Sequence, residues 1–228
     1  MANRGKSRHI KGLNAPRYLA IHRKEQRYVA KTNPGRHTLD KSITLLLFAS
    51  KAELTENAKD ARKVIKAGSI HVNGKPVKDP KYPIGLNDTI EIPQEKKYYK
   101  IGITELAKVA INPISKPGHE AMLYKVVGKY KAKGEKIMIR LHDGSAVHGT
   151  KDVKVNDSVI LDSKRKITKV LKLDVGAECE IVDGVHVGTT GKIHKLVPGT
   201  MHKTESATIE QKDGNKFETL VKNVMVTS

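Results

Sequence analysis

The sequence predicts a multidomain α+β protein: a basic N-terminal arm (1–40), a small helix-plus-sheet module (41–93), a central β-rich domain (94–173) and a small C-terminal β-barrel (174–228). Three observations carry this. At 228 residues the chain is longer than a usual single core. Between 41 and 93 a helical period gives way to a tight hairpin, and after 94 the pattern becomes alternation punctuated by glycine turns.

The arm holds ten Lys and Arg against Glu25 and Asp40, a net +8 in less than a fifth of the chain. It adds Tyr18, Tyr28 and three histidines but few aliphatics, and "TNPGRHTLD" closes it with a Pro34-Gly35 turn. Such a segment cannot build its own core and is expected to order on an anionic partner.

In the module, Ser42 is the expected N-cap for "ITLLLFASKAEL", a helix too continuously apolar to lie exposed. A second helix, capped by Asn57 or Thr55, runs to Ala67. Its Ala61, Val64 and Ile65 recur at i, i+3, i+4, while Arg62, Lys63 and Lys66 lie off that face. Gly68 stops it in the left-handed conformation, and Ile70 and Val72 alternate into a type I′ turn at Asn73-Gly74. "DTIEI" is the module's last strand.

Beyond 94, "ITELAKVA" is a short helix candidate. "YKVVGKYKA", "KIMIRLHDGSAV" and "DSVILDS" read as strands, with Asp143-Gly144 as a hairpin turn. From 174 on, four or five short strands with turns at Gly184, Gly188-Gly191 and Asp213-Gly214 suffice for a small twisted barrel.

A formal charge of +19 self-repels unless something anionic binds it, which points to nucleic acid. The longest apolar run, Ile43 to Ala49, is too short to span a bilayer, and "MANRGKSRHIKG" lacks a signal core, so a cytoplasmic protein with no membrane association is expected. Cys179 is the only cysteine and forms no intramolecular disulfide. "GVHVGTTGKI" fails the phosphate-loop spacing because Ile193 follows Lys192. Cys179, His186, His194 and His202 show no zinc spacing, so no metal or cofactor is expected. "MIRLHDG" is similar to the catalytic stretch of pseudouridine synthases, but His142 separates the Arg-Leu pair from Asp143, and a hairpin turn explains Asp143-Gly144. No catalytic residue is assigned.

The pattern A-R-x-x-I-x-x-G-x-[IV]-x-V-N-G at 61–74 resembles the RNA-binding module named after bacterial small-subunit ribosomal protein four, with Asn57-Ala58 where that module usually carries Ser-Arg. "VGAECEIVDGVHVGTTGKIHKL" resembles a KOW motif centred on Gly191. With "RGKSRHIKGLNAPRYLAI" at the start, the order of arm, module, β domain and KOW-type barrel is similar to the eukaryotic and archaeal type of that ribosomal protein, and closer to an archaeal member. The resemblance implies a structural, non-enzymatic constituent of the small ribosomal subunit, bound to the 5′ region of its rRNA and to neighbouring ribosomal proteins, with no homo-oligomer. An RNA-modifying enzyme and a soluble KOW-type transcription or translation factor are the alternatives.

The expected RNA-binding residues are Arg4, Lys6, Arg8, Lys11, Arg17, Arg23, Lys24 and Arg27 in the arm; Arg62, Lys63, Lys66, His71, Asn73 and Lys75 in the helix-hairpin; and Lys192, His194 and Lys195 after Gly191. Basic side chains neutralise phosphates along their path and release counterions.

Overall fold

The structure, a computed structural model, describes residues 9–25, 27–55, 57–115, 121–132, 134, 136–162, 164–211 and 214–228. It divides into two compact units, one of residues 1–102 and 108–118, the other of 103–107 and 119–228.

In the first unit, strand His9–Lys11 pairs antiparallel with Tyr28–Ala30, and two 3-10 turns, Gly12–Asn14 and Arg17–Leu19, lie between them. Ala15, Tyr18, Leu19 and Val29 are buried, and Arg17–Leu19 packs against strand Ser42–Thr44. From His9 onward the few apolar side chains of this segment are thus packed against the module, Tyr18 among them. Lys51 also donates from Nζ to the Ala20 carbonyl at 2.8 Å.

The first helix, α1, spans Leu45–Lys51, and Thr44 caps it by accepting from the Leu47 N–H at 3.1 Å. Ser42, the expected cap, is instead a buried residue of the strand that pairs with Pro83–Gly85. Ile43 and Thr44 are too valuable to that pairing for the helix to begin earlier. The second helix, α2, spans Ala58–Ala67 and buries Ala61 and Ile65. Asn57 holds the N-cap position without a side-chain hydrogen bond. Gly68 ends α2 at φ +82°, a left-handed conformation that glycine takes without strain.

A five-stranded sheet follows in the order Lys75–Pro76, His71–Val72, Thr89–Ile92, Lys97–Ile103, Val109–Ile114. It crosses the boundary expected at residue 93, because Thr89–Ile92 pairs with 97–100. "ITELAKVA" is not a helix. Ile101 is buried in the sheet, the chain turns where the Ala107 N–H meets the Thr104 carbonyl at 2.9 Å, and Val109 starts the next strand. The run between the two strands is too short to nucleate a helix against that pairing.

The second unit holds two five-stranded antiparallel sheets. The first runs Ala146–His148, Ile137–Leu141, Met122–Lys131, Ser158–Leu161, Ile167–Leu171. Its core gathers Met122, Tyr124, Val126, Ile139, Leu141, Val147, Val153, Val159 and Leu161. The second runs Lys216–Leu220, Ser206–Gln211, Thr190–Val197, Glu178–Ile181, Val224–Val226. Leu123 and Ile160 of the first sheet pack against its core of Leu171, Cys179, Ile181, Ile193, Ile209 and Val224. The first sheet is therefore a wall shared by two cores. Lys125 lies buried in that wall, donating to the Val221 carbonyl at 2.8 Å and to the Val224 carbonyl. Of the expected Asp213-Gly214 turn, Asp213 lies outside the described residues, and Gly214 has φ +80°.

Candidate nucleic-acid interface

Helix α2 turns Arg62, Lys63 and Lys66 to solvent because Ala61 and Ile65 claim the opposite face. Lys63 pairs with Asp60 at 3.1 Å, but both side chains are more than half exposed, and such a pair contributes only about 0–1 kcal/mol. A phosphate can displace it. One cation went unnoticed in the sequence: Lys78 folds over the end of α2, where a Cβ on Gly68 would lie 3.4 Å from Lys78 Cε. A cation there is favoured by the helix dipole.

The hairpin beyond α2 is held from below. Asn73 (φ +51°) and Gly74 (φ +74°) form the left-handed pair that a type I′ turn requires. Asn73 was expected as an RNA donor, and here the structure corrects the sequence reading. Its side chain is buried, donating to Asp88 Oδ1 at 2.7 Å and accepting from the Thr89 N–H at 2.9 Å and the Thr89 hydroxyl at 3.2 Å. It anchors the turn. Asp88 Oδ2 in turn meets His37 Nε2 at 2.8 Å and accepts from the Gly85 N–H at 3.0 Å. Burial alone would raise the Asp88 pKa. The hydrogen bond and charge of His37, the charge of Arg36 and the Asn73 hydrogen bond outweigh it and hold the carboxyl below its ordinary range. Lys75 is exposed beyond this anchor, and His71 is half-buried between Pro76 and Glu91 across the sheet.

In the N-terminal segment Lys11, Arg17, Arg23, Lys24 and Arg27 are exposed, and Arg4, Lys6 and Arg8 lie outside the described residues. Arg23 also has an internal task, donating to the Leu13 and Ala15 carbonyls at 3.3 and 3.1 Å. The Arg27 guanidinium sits 5.4 Å from the centre of the Tyr28 ring, whose other neighbour is His9, edge-on at 4.6 Å. Burial and then the charge of Lys108 push the Lys51 pKa down.

The C-terminal sheet is different in kind. Lys192, His194 and Lys195 are exposed, His194 and Lys195 on the same side because a register shift between Ile193 and Lys195 inserts one residue. Acids interleave with them. Glu178, Lys192, Glu210 and Lys216 stand opposite one another across four strands, an alternating row of charges. His194 Nε2 lies 3.3 Å from Lys216 Nζ, and its Nδ1 lies 3.9 Å from Glu210. Residues 174–228 carry six lysines against eight carboxylates, a net of −2. Gly191 is there for close packing: a Cβ would come within 2.6 Å of the Glu210 carbonyl oxygen.

No catalytic constellation competes with this surface among the described residues. Asp143 is fully buried and its Oδ1 accepts from the Ser145 N–H and hydroxyl at 2.9 and 2.6 Å, as a turn carboxylate does. Cys179 is buried, which pushes its thiol up to about 11. The described residues contain no group of three or more His, Cys, Asp or Glu fit to hold a metal, and no helix long and apolar enough to cross a membrane.

Known families match three successive stretches of the chain. Residues 4–40 match the RS4NT (NUC023) domain, residues 43–90 the S4 domain, and residues 95–167 the Ribosomal family S4e. The fold is similar to the crystal structure of the 30S ribosomal protein S4e from Thermoplasma acidophilum, with a TM-score of 0.68 and 26% identity over 83% of this chain and 96% of that one. The small ribosomal subunit protein eS4 of Methanococcus vannielii is 31% identical, covering 99% of this chain and 96% of its own length. That of Desulfurococcus amylolyticus is 33% identical, covering 96% of this chain and 91% of its own. With its N-terminal, helix-hairpin and central regions each matched, and its identity to whole relatives spread over nearly every residue, the chain belongs to the eS4 family of small ribosomal subunit proteins.

Proposed function

We propose that the chain is a structural constituent of the small ribosomal subunit, not an enzyme, which binds the 5′ region of the subunit's rRNA and meets neighbouring ribosomal proteins in the cytoplasm. The main grip is the helix-hairpin: Arg62 and Lys66 one turn apart on α2, with Lys63, Lys75 and Lys78 beside them and His71 at the hairpin's edge. The exposed N-terminal cations extend it along the backbone. The observation that carries this reading is the buried Asn73–Asp88–His37 chain, which fixes a turn between basic residues at the expense of three polar side chains. Positioned cations select a phosphate geometry, where a loose basic tail would only add charge.

The C-terminal region is read as a KOW-type barrel with an accessory role, because Glu178 and Glu210 flank Lys192 on both sides. His194 and Lys195 then add little to RNA affinity. The test compares two double variants in rRNA binding. Arg62→Ala with Lys66→Ala is expected to weaken binding by at least tenfold with folding retained, whereas Lys151→Ala with Lys154→Ala changes it by less than about threefold. Equal losses from the two pairs would reduce the helix-hairpin to a scaffold.

A further inference from the structure

The central sheet presents a surface that the helix-hairpin does not account for. Its register sets Tyr130, Met138 and His148 in one row across three strands, and Gly128, Arg140 and Ala146 in the next. Ile139 and Val147, one residue away on their strands, are buried in the core, so these two rows share the opposite face. Tyr130 is 49% exposed, Arg140 and His148 are exposed, and Met138 is half-buried between the rings. Directly opposed side chains on antiparallel strands stand about 5 Å apart. The Tyr130, Met138 and His148 side chains therefore form a continuous strip.

Arg140 completes the surface. A Cβ at Gly128 would lie 3.6, 3.7 and 3.9 Å from Arg140 Nη2, Nε and Cζ, so the Nε–Nη2 edge of the guanidinium reaches over the glycine at van der Waals distance. Charge agrees: residues 121–151 carry seven Lys and Arg against Glu135 and Asp143, and with Lys125 and Asp143 both buried six cations stand against one carboxylate. None of the six residues in the two rows is acidic.

We propose that this face is a stacking platform for unpaired nucleotides of RNA. Tyr130 and His148 offer ring faces, Met138 fills the space between them, and Arg140 supplies a planar cation for a base or its phosphate. The proposal rests on the rRNA-binding reading and sharpens it. The helix-hairpin follows phosphates of folded RNA, whereas a flat sheet face with two rings cannot enter a duplex groove and suits splayed bases. An apolar protein partner is disfavoured by the Arg140 guanidinium beside the strip.

The chain has no tryptophan, so Tyr130→Trp creates a single fluorescent reporter in the full-length protein. Titration with a single-stranded RNA decamer is expected to quench it, while a blunt RNA duplex of the same length binds without quenching. Tyr130→Leu should weaken single-strand binding by about 5- to 150-fold and leave duplex binding unchanged, and Tyr130→Phe should stay within about twofold of the parent. Thermal unfolding of each variant checks that the exposed site was altered without loss of fold. Single-strand binding by Tyr130→Leu within twofold of the parent, or an equal loss on both RNAs, overturns the platform while the rRNA reading stands if the duplex still binds the parent. Failure of the parent to bind either RNA overturns both.

Discussion

Asp88 shows how one side chain decides what its neighbours can do. It is 2% exposed and receives His37, Asn73 and the Gly85 N–H, so a charge that would be costly alone becomes the knot of the first unit. Asp88→Asn is expected to destabilise that unit by about 3 kcal/mol or more, seen as a lower urea midpoint. Because the folded carboxyl is held below its ordinary range, its stabilisation is present above that range and lost as pH falls through the folded value. The variant should therefore show a shallower decline of stability below about pH 4 than the parent. Lys125 has the opposite sign of problem: burial pushes its ammonium down to about 8. Between that value and about 10.4 the unfolded chain holds a proton that the folded one has released, so this group's contribution to stability rises with pH, by about 1.4 kcal/mol per unit at most. Buried Cys179, pushed up, acts in the reverse direction above its ordinary range. Comparing Lys125→Met with the parent by denaturant titration at pH 7.5 and 9.5 isolates the lysine, and the parent should gain relative to the variant. The Asn73-Gly74 turn was legible from the residues themselves. That Asn73 spends its amide on Asp88 was not, since the two meet only when separate strands pair.

At the level of elements, α2 and its hairpin were plain in the sequence because every local signal agrees: apolar period, Gly68, alternation, Asn73-Gly74. Gly74 sits at φ +74°, a left-handed conformation in which a side chain would be strained. Gly74→Val should destabilise the first unit by about 1–3 kcal/mol and weaken rRNA binding as well, unlike the Arg62/Lys66 double variant, which should affect binding alone. Circular dichroism melts alongside binding would separate the two effects. The misread elements failed for one reason. Ser42 and "ITELAKVA" have good local helix signals, but Ser42–Thr44 finds a partner at Pro83–Gly85, and the strands flanking residues 104–107 find a sheet. Long-range pairing overrode propensity in both places.

Over the whole molecule the charge is divided rather than spread. Residues 1–173 hold 37 Lys and Arg against 16 Asp and Glu, a net of +21, while 174–228 stand at −2. That partition is legible in the sequence by counting. The alternating row of Glu178, Lys192, Glu210 and Lys216 is not, because it exists only in the register of four strands. Salt dependence should report the difference: Arg62→Ala with Lys66→Ala lowers the log–log slope of rRNA affinity by about 1.4–1.8, and Lys192→Gln with Lys195→Gln leaves it within about 0.5 of the parent. A reduction of equal size from the second pair would bring the C-terminal face into the RNA contact. The lysine bridge in the shared wall has a further bearing, on the time course of synthesis. Lys125 finds its acceptors at Val221 and Val224, and the Ser158 hydroxyl accepts from the Val226 N–H at 3.0 Å. A nascent chain therefore cannot finish the second unit until residue 226 has emerged, whereas the residues of the first all lie within 1–118. Until then the wall formed by Leu123, Lys125 and Ile160 is uncovered, an interval in which a chaperone, or the assembling rRNA itself, meets a half-built protein.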